Sequence, residues 1–227
     1  MKLKKVLAIV TTSLLVLSLT ACGGNNDSGK NDSEKTNSNG LSQSKPMIVD
    51  KEKKEIKMLC EVNGTYFSEP SRHGIVYKDG SNGEKAILRG LADEKEFYQA
   101  LIDLDVKPGN NLTAKDMKAG ANNGKSIEGE KLVAFVEWDG QEAIPFADIV
   151  KTEKEKPMDL RFGGNIKSAK KNNTGCVLCL DSCATGIVSD AAWPTGTTQN
   201  NVAKFYGDDS ILPDDGTQVT VTFRLAE

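Results

Sequence analysis

Histidine occurs once in this chain of 227 residues, tryptophan twice, and aromatic residues make up only 6%. No Gly-x-Ser-x-Gly elbow is present to raise a serine nucleophile beside that single histidine. The glycine-rich runs Gly120-Ala121-Asn122-Asn123-Gly124 and Gly163-Gly164-Asn165 do not continue as phosphate loops. Gly124-Lys125-Ser126 would need a glycine at position 119, which is Ala119. Asp208, Asp209, Asp214 and Asp215 lack EF-hand spacing and read as turn residues rather than calcium ligands. Positive charge is also missing. The formal net charge is −3, and loss of residues 1–21, which carry three lysines and no acid, takes it to −6. Nucleic acid and a polybasic membrane patch are poor partners for such a surface. About 180 folded residues also fall short of the two α/β lobes of a solute-binding protein. These absences nominate no catalytic residue and lean toward a non-enzymatic role.

Long apolar runs are absent too, save one. Val6 to Leu19, 14 residues interrupted only by Thr11, Thr12, Ser13 and Ser18, follows Lys2, Lys4 and Lys5. As a helix it reaches about 21 Å, short of the roughly 30 Å of membrane hydrocarbon. A basic start, an apolar stretch and the small residues before Cys22 make a secretory signal. Leu19-Thr20-Ala21-Cys22 resembles the lipobox of a bacterial lipoprotein. The resemblance implies cleavage after Ala21 and diacylglycerol on the Cys22 thiol, which places the chain on the extracytoplasmic face of the cell membrane. Two acyl chains suffice for stable anchoring. From Gly23 to Lys45 only Leu41 is apolar, so residues 22–46 read as a disordered tether with a reach of about 25–29 Å.

Residues 47–227 then read as one α+β domain, with a possible division in the charge run near 151–157. Partial alternation marks Glu55–Val62, and Asn63-Gly64 suggests a hairpin returning through Thr65-Tyr66-Phe67. Strands follow at 73–78 and 85–88. Asp93 with Glu96 three residues on is a capping-box variant, and Phe97, Leu101 and Leu104 recur at helical spacing, so the main helix spans about 93–105. Leu132–Trp138 is the strongest strand, turned back at Asp139-Gly140 into 142–146. The C-terminal part is mostly β, ending in Thr217–Leu225. The expected architecture is antiparallel sheet covered in part by one helix.

Several of these pieces together resemble the YdjY domain of exported bacterial lipoproteins. They are Arg72-His73-Gly74-Ile75-Val76, the helix end from Ala100 through Leu104 to Gly109, and the strand Val133 to Gly140. Arg161-Phe162-Gly163-Gly164 departs from the family pattern. A ferredoxin-like label attached to some members implies iron–sulfur chemistry, which depends on the cysteines of this chain.

With Cys22 committed to lipid, four cysteines remain: Cys60, Cys176, Cys179 and Cys183. The last three form C-x2-C-x3-C, which looks like the tail of a bacterial ferredoxin run without its first cysteine and with Ala184 in place of proline. Cys60 is the remaining thiol that could complete a four-sulfur zinc or iron–sulfur site. Disulfides in any of three pairings, or free thiols, are the competing readings. Within a strand, Cys176 and Cys179 would face opposite sides and bond to different partners. Lys4-Lys5 is no twin-arginine signal, and export of an unfolded chain disfavours a preassembled cluster, so zinc is the better metal. Arg72 and His73 could form an anion-binding pair, against a purely structural histidine. The leading expectation is a lipid-anchored module that binds an envelope protein or small ligand, its cysteine cluster structural. A metal or redox carrier is the alternative.

Overall fold

Ile56, Met58, Cys60 and Val62 alternate along their strand and are all fully buried in one core, as period-two patterning requires. The computed structural model describes residues 36–118 and 123–226. Its strands are β1 (Met47–Asp50), β2 (Glu55–Val62), β3 (His73–Tyr77), β4 (Ala86–Gly90), β5 (Lys131–Trp138) and β6 (Gln141–Pro145). There follow β7 (Val150–Thr152), β8 (Leu160–Phe162), β9 (Cys176–Cys179), β10 (Val188–Asp190), β11 (Phe205–Gly207) and β12 (Gln218–Leu225). The helices are α1 (Glu94–Asp103) and α2 (Ile166–Asn172).

Eight strands close on themselves in the order β2-β12-β5-β8-β10-β9-β3-β4, and β4 pairs back to β2 through Cys60↔Gly90 and Val62↔Leu88. Closure leaves no free edge in the wall. β1 and β6 attach outside this ring, and β7 with β11 forms a separate two-stranded ribbon. The ring is mixed: β3 runs parallel to β4 and β9 parallel to β10, the other pairs being antiparallel.

This corrects the expected α+β fold with antiparallel sheet and one main helix. The protein is mostly β, a closed mixed barrel with two helices. Alternation along a strand reports which face is buried but not which strand lies alongside. The turn-rich stretch 78–85 looks like a hairpin connection, yet it carries the chain across so that His73 pairs with Ala86 in parallel. Strands of three or four residues such as β8, β9 and β10 are too short to show any period.

α1 begins where its cap predicts: Asp93 Oδ1 accepts from the Lys95 amide at 2.7 Å. Its apolar side enters the barrel core, with the Phe97 ring 4.7 Å from that of Phe223 on β12. Gly140, at φ +81°, turns β5 into β6 as Asp139-Gly140 suggested. Asn63-Gly64 does not make the expected hairpin. Asn63 instead caps a 3-10 turn, Gly64–Phe67, its side chain accepting from the Thr65 amide. The run at 151–157 marks no seam, because the described residues form one unit and Val150–Thr152 is a strand.

The expected tether also ends early. Leu41 is fully buried with Leu59 and Leu91, and Asn37 Nδ2 donates to Thr220 Oγ1 at 3.0 Å. Residues 36–46 therefore belong to the folded part; residues 1–35, including Cys22, lie outside the described residues. Leu41→Ala is expected to cost about 2 kcal/mol in urea unfolding, the lower range for a buried leucine in a small cluster. An unchanged midpoint would contradict that docking. No helix among the described residues is long and apolar enough to cross a membrane.

Candidate metal centre

His73 opens β3, and its neighbour in the wall is β9, paired antiparallel as His73↔Cys179 and Val76↔Cys176. The register shifts on both sides of Ile75. Such a bulge puts an extra residue into one strand and re-aims the side chains around it. Cys176 and Cys179, three apart and expected on opposite faces, consequently share one small cluster with Val76, Ala86 and Cys183. Val177 and Leu178 between them join the main core.

His73 Nδ1 lies 3.7 Å from Cys176 Sγ and 3.9 Å from Cys179 Sγ, and these three atoms are all within 4.8 Å of one another. Both sulfurs are fully buried, Cys183 is 3% exposed and His73 9%. Cys183 adjoins Cys179 and also meets Thr185 Oγ1 at 3.3 Å. Asn82 Nδ2 stands 3.8 Å from Cys176 Sγ. Met117 covers the cluster, its sulfur accepting from the Ala184 amide at 3.3 Å. The loop carrying Cys183 is held by Asn165, whose Nδ2 donates to the carbonyls of Cys183 and Gly186, each at 3.0 Å. Gly186 keeps room beside the cluster, since a Cβ at that position would lie 3.0 Å from Cys179 Sγ and 2.8 Å from Ser189 Oγ.

Protons are shared unevenly among the sulfurs. Hydrogen bonding to Cys176 and Cys183, together with burial, pushes the Cys179 thiol well up. Its hydrogen bond, followed by the influence of His73, draws Cys176 well below the ordinary thiol range. Cys183 is drawn down to about 6, first by Cys179 and then by the Arg72 guanidinium. Cys179 thus keeps a proton between two neighbours disposed to be thiolates, the form that binds soft metals.

Arg72 serves the cluster from outside. Its Nε and Nη2 donate to Asp181 Oδ1 at 3.1 and 2.5 Å, while Asp181 Oδ2 accepts from Thr198 Oγ1 at 2.8 Å and the Thr198 amide at 3.2 Å. Asp181 is fully buried. The anticipated pairing of Arg72 with His73 is therefore split. His73 turns to the sulfurs and Arg72 to an aspartate.

Cys60 is not brought to this place. It sits in the main core with Met58 and Val62, its thiol 4.0 Å from the Met58 carbonyl, and burial pushes its pKa up. In place of the four-cysteine set, Cys176 and Cys179 converge with His73, and Cys183 adjoins Cys179. All four described cysteines are unbridged. Three strand residues span about 10 Å, beyond the roughly 7 Å Cα limit for a disulfide, so Cys176 and Cys179 cannot be joined without backbone movement.

A single tetrahedral ion bound by sulfur at about 2.3 Å and nitrogen at about 2.0 Å has N···S edges of about 3.5 Å. The observed 3.7 and 3.9 Å lie near that value. In a four-iron cluster each ligand attaches to a different iron, whereas a two-iron cluster takes two ligands on each iron, and clusters of either kind are held mostly by four cysteines. The spacing of these three donors fits a single ion.

Sequence reading missed three contributors: His73 as partner of the sulfurs, Asp181 as partner of Arg72, and Asn165 as the clamp on the loop. A C-x2-C-x3-C run beside a lone histidine in a neighbouring strand is a signal that could have found the first. The others depend on tertiary placement.

Fold and site together define a class: a closed mixed β-barrel with a buried His/Cys cluster in its wall. The chain belongs to the YdjY family, whose domain model matches residues 47–224. It is 39% identical over 216 residues, 94% of this chain and 92% of the relative, to the uncharacterized protein YdjY of Escherichia coli strain K12. No solved structure matches.

Proposed function

We propose that this protein is a non-enzymatic module, lipid-anchored through Cys22 outside the cytoplasmic membrane, whose barrel holds one zinc-like ion. His73 Nδ1, Cys176 and Cys179 are the ligands, with Cys183 as the fourth. The observation that carries the reading is the convergence of one nitrogen and two sulfurs within 4.8 Å in a buried cluster. With Cys183 as fourth ligand no coordination position is left open, which favours a structural or storage role over hydrolysis. The ion, when bound, ties β3 to β9 and to the loop after it. The barrel surface is then free to engage an envelope protein or small ligand.

Full-length protein purified without chelator is expected to carry about one zinc per chain by metal analysis, and to melt lower after chelation. Metal-free protein whose melting is insensitive to zinc would end this reading. The anchor has its own test. Cys22→Ser is expected to move the protein from the membrane fraction and remove the acyl mass from its N-terminal peptide. An unmodified wild-type peptide beginning at Met1 would contradict the anchor.

A further inference from the structure

Beside the cysteine cluster, on the other side of Arg72, lies a cavity of about 240 Å³. Pro70, Ser71, Arg72, the 198–201 turn and Ala203–Phe205 line it. At about 30 Å³ per water it has room for roughly eight waters, too little for a drug-sized molecule. Its polar groups are donors in excess. Arg72 Nη1 and the side chains of Lys204, Gln199 and Asn201 have no hydrogen-bond or ion-pair partner among the described residues. No carboxylate lines the cavity; Asp181 lies behind Arg72, its oxygens occupied by Arg72 and Thr198. Phe205 and Ala203 supply an apolar floor, 2% and 5% exposed.

We propose that this cavity binds a compact soluble anion, a phosphate or small carboxylate, between Arg72 and Lys204. The Asp181 bond fixes Arg72 at its Nε/Nη2 edge and leaves Nη1 for the ligand, so the guanidinium is oriented before binding. Lys204 adds a second charge at the exposed rim. Gln199 and Asn201 can donate to remaining oxygens. The site goes beyond the metal reading and does not require it.

The test is calorimetric titration of the metal-loaded full chain, at low ionic strength where a rim charge is least screened, with inorganic phosphate and with succinate. Metal content is followed in parallel. Saturable one-to-one binding of either anion is expected, weakened about fivefold or more by Lys204→Gln, the effect of losing one partly solvated charge contact. Ala203→Leu, which fills the floor, should abolish binding while metal content stays at the wild-type level. If Ala203→Leu fails to fold, Lys204→Gln, on an exposed side chain, decides alone. No saturable binding of either anion, or binding indifferent to Lys204→Gln, overturns the proposal. Neither result bears on the metal centre.

Discussion

His73→Ala and Cys176→Ser are each expected to bind zinc at least about 100-fold more weakly than the wild type, whereas Cys60→Ala keeps its metal. Losing a ligand costs more than the 10- to 100-fold typical of outer partners. The contrast matters because all three residues are buried and any of the variants can lose stability. Cys60 packs in the main core, so Cys60→Ala lowers the unfolding midpoint without touching the donor set. The other two remove atoms from the group that converges within 4.8 Å. A competition titration with a chromophoric chelator reads affinity directly, and circular dichroism confirms that each variant is folded. Equal zinc affinity in His73→Ala and wild type would remove the histidine from the site. Loss of zinc in Cys60→Ala would restore the four-cysteine reading.

Asp181→Ala is expected to be about 3–5 kcal/mol less stable than the wild type in urea unfolding, because it strands a largely buried guanidinium. Arg72 is 18% exposed and Asp181 not at all, so water cannot take over the broken contact. Two bonds from Arg72 and two from Thr198 end on this one carboxylate. The double variant Arg72→Met/Asp181→Leu is expected to recover much of the loss, since a well-packed apolar pair often replaces a buried ion pair without penalty. A loss under about 1 kcal/mol in Asp181→Ala would mean that the contact is solvated and does not brace the 72–73 segment. Bracing matters to the metal because Arg72 and His73 are adjacent in the chain, and the Leu180 amide, next to Cys179, donates to the Arg72 carbonyl at 2.8 Å.

How far the fold could be read from the chain depended on whether the information was local. α1 was legible because Asp93 caps it and Phe97, Leu101 and the C-cap Leu104 repeat at helical spacing within one short stretch. The β5–β6 hairpin was legible because Asp139-Gly140 sets its turn. Barrel closure was not, because pairing β2 with β4, or β9 with β10 in parallel, is a long-range choice that no single strand encodes. Leu41 looked incidental in a polar stretch, yet it docks residues 36–46 together with Asn37 and Asn39, which reach Thr220, and Pro46, whose carbonyl accepts from the Leu59 amide. At the site the cysteines were visible and their grouping only half so. Parity along an ideal strand separates Cys176 from Cys179, and the bulge at Ile75 undoes it. Cys60 entered the expected ligand set by arithmetic, as the one thiol left over, while the geometry chose His73.

X-ray absorption at the zinc edge on the metal-loaded, full-length protein tests the central claim most directly. The account predicts a four-coordinate ion with sulfur at about 2.3 Å and one imidazole nitrogen at about 2.0–2.1 Å. A shell of oxygen and nitrogen alone, or of four sulfurs with no imidazole, would contradict it.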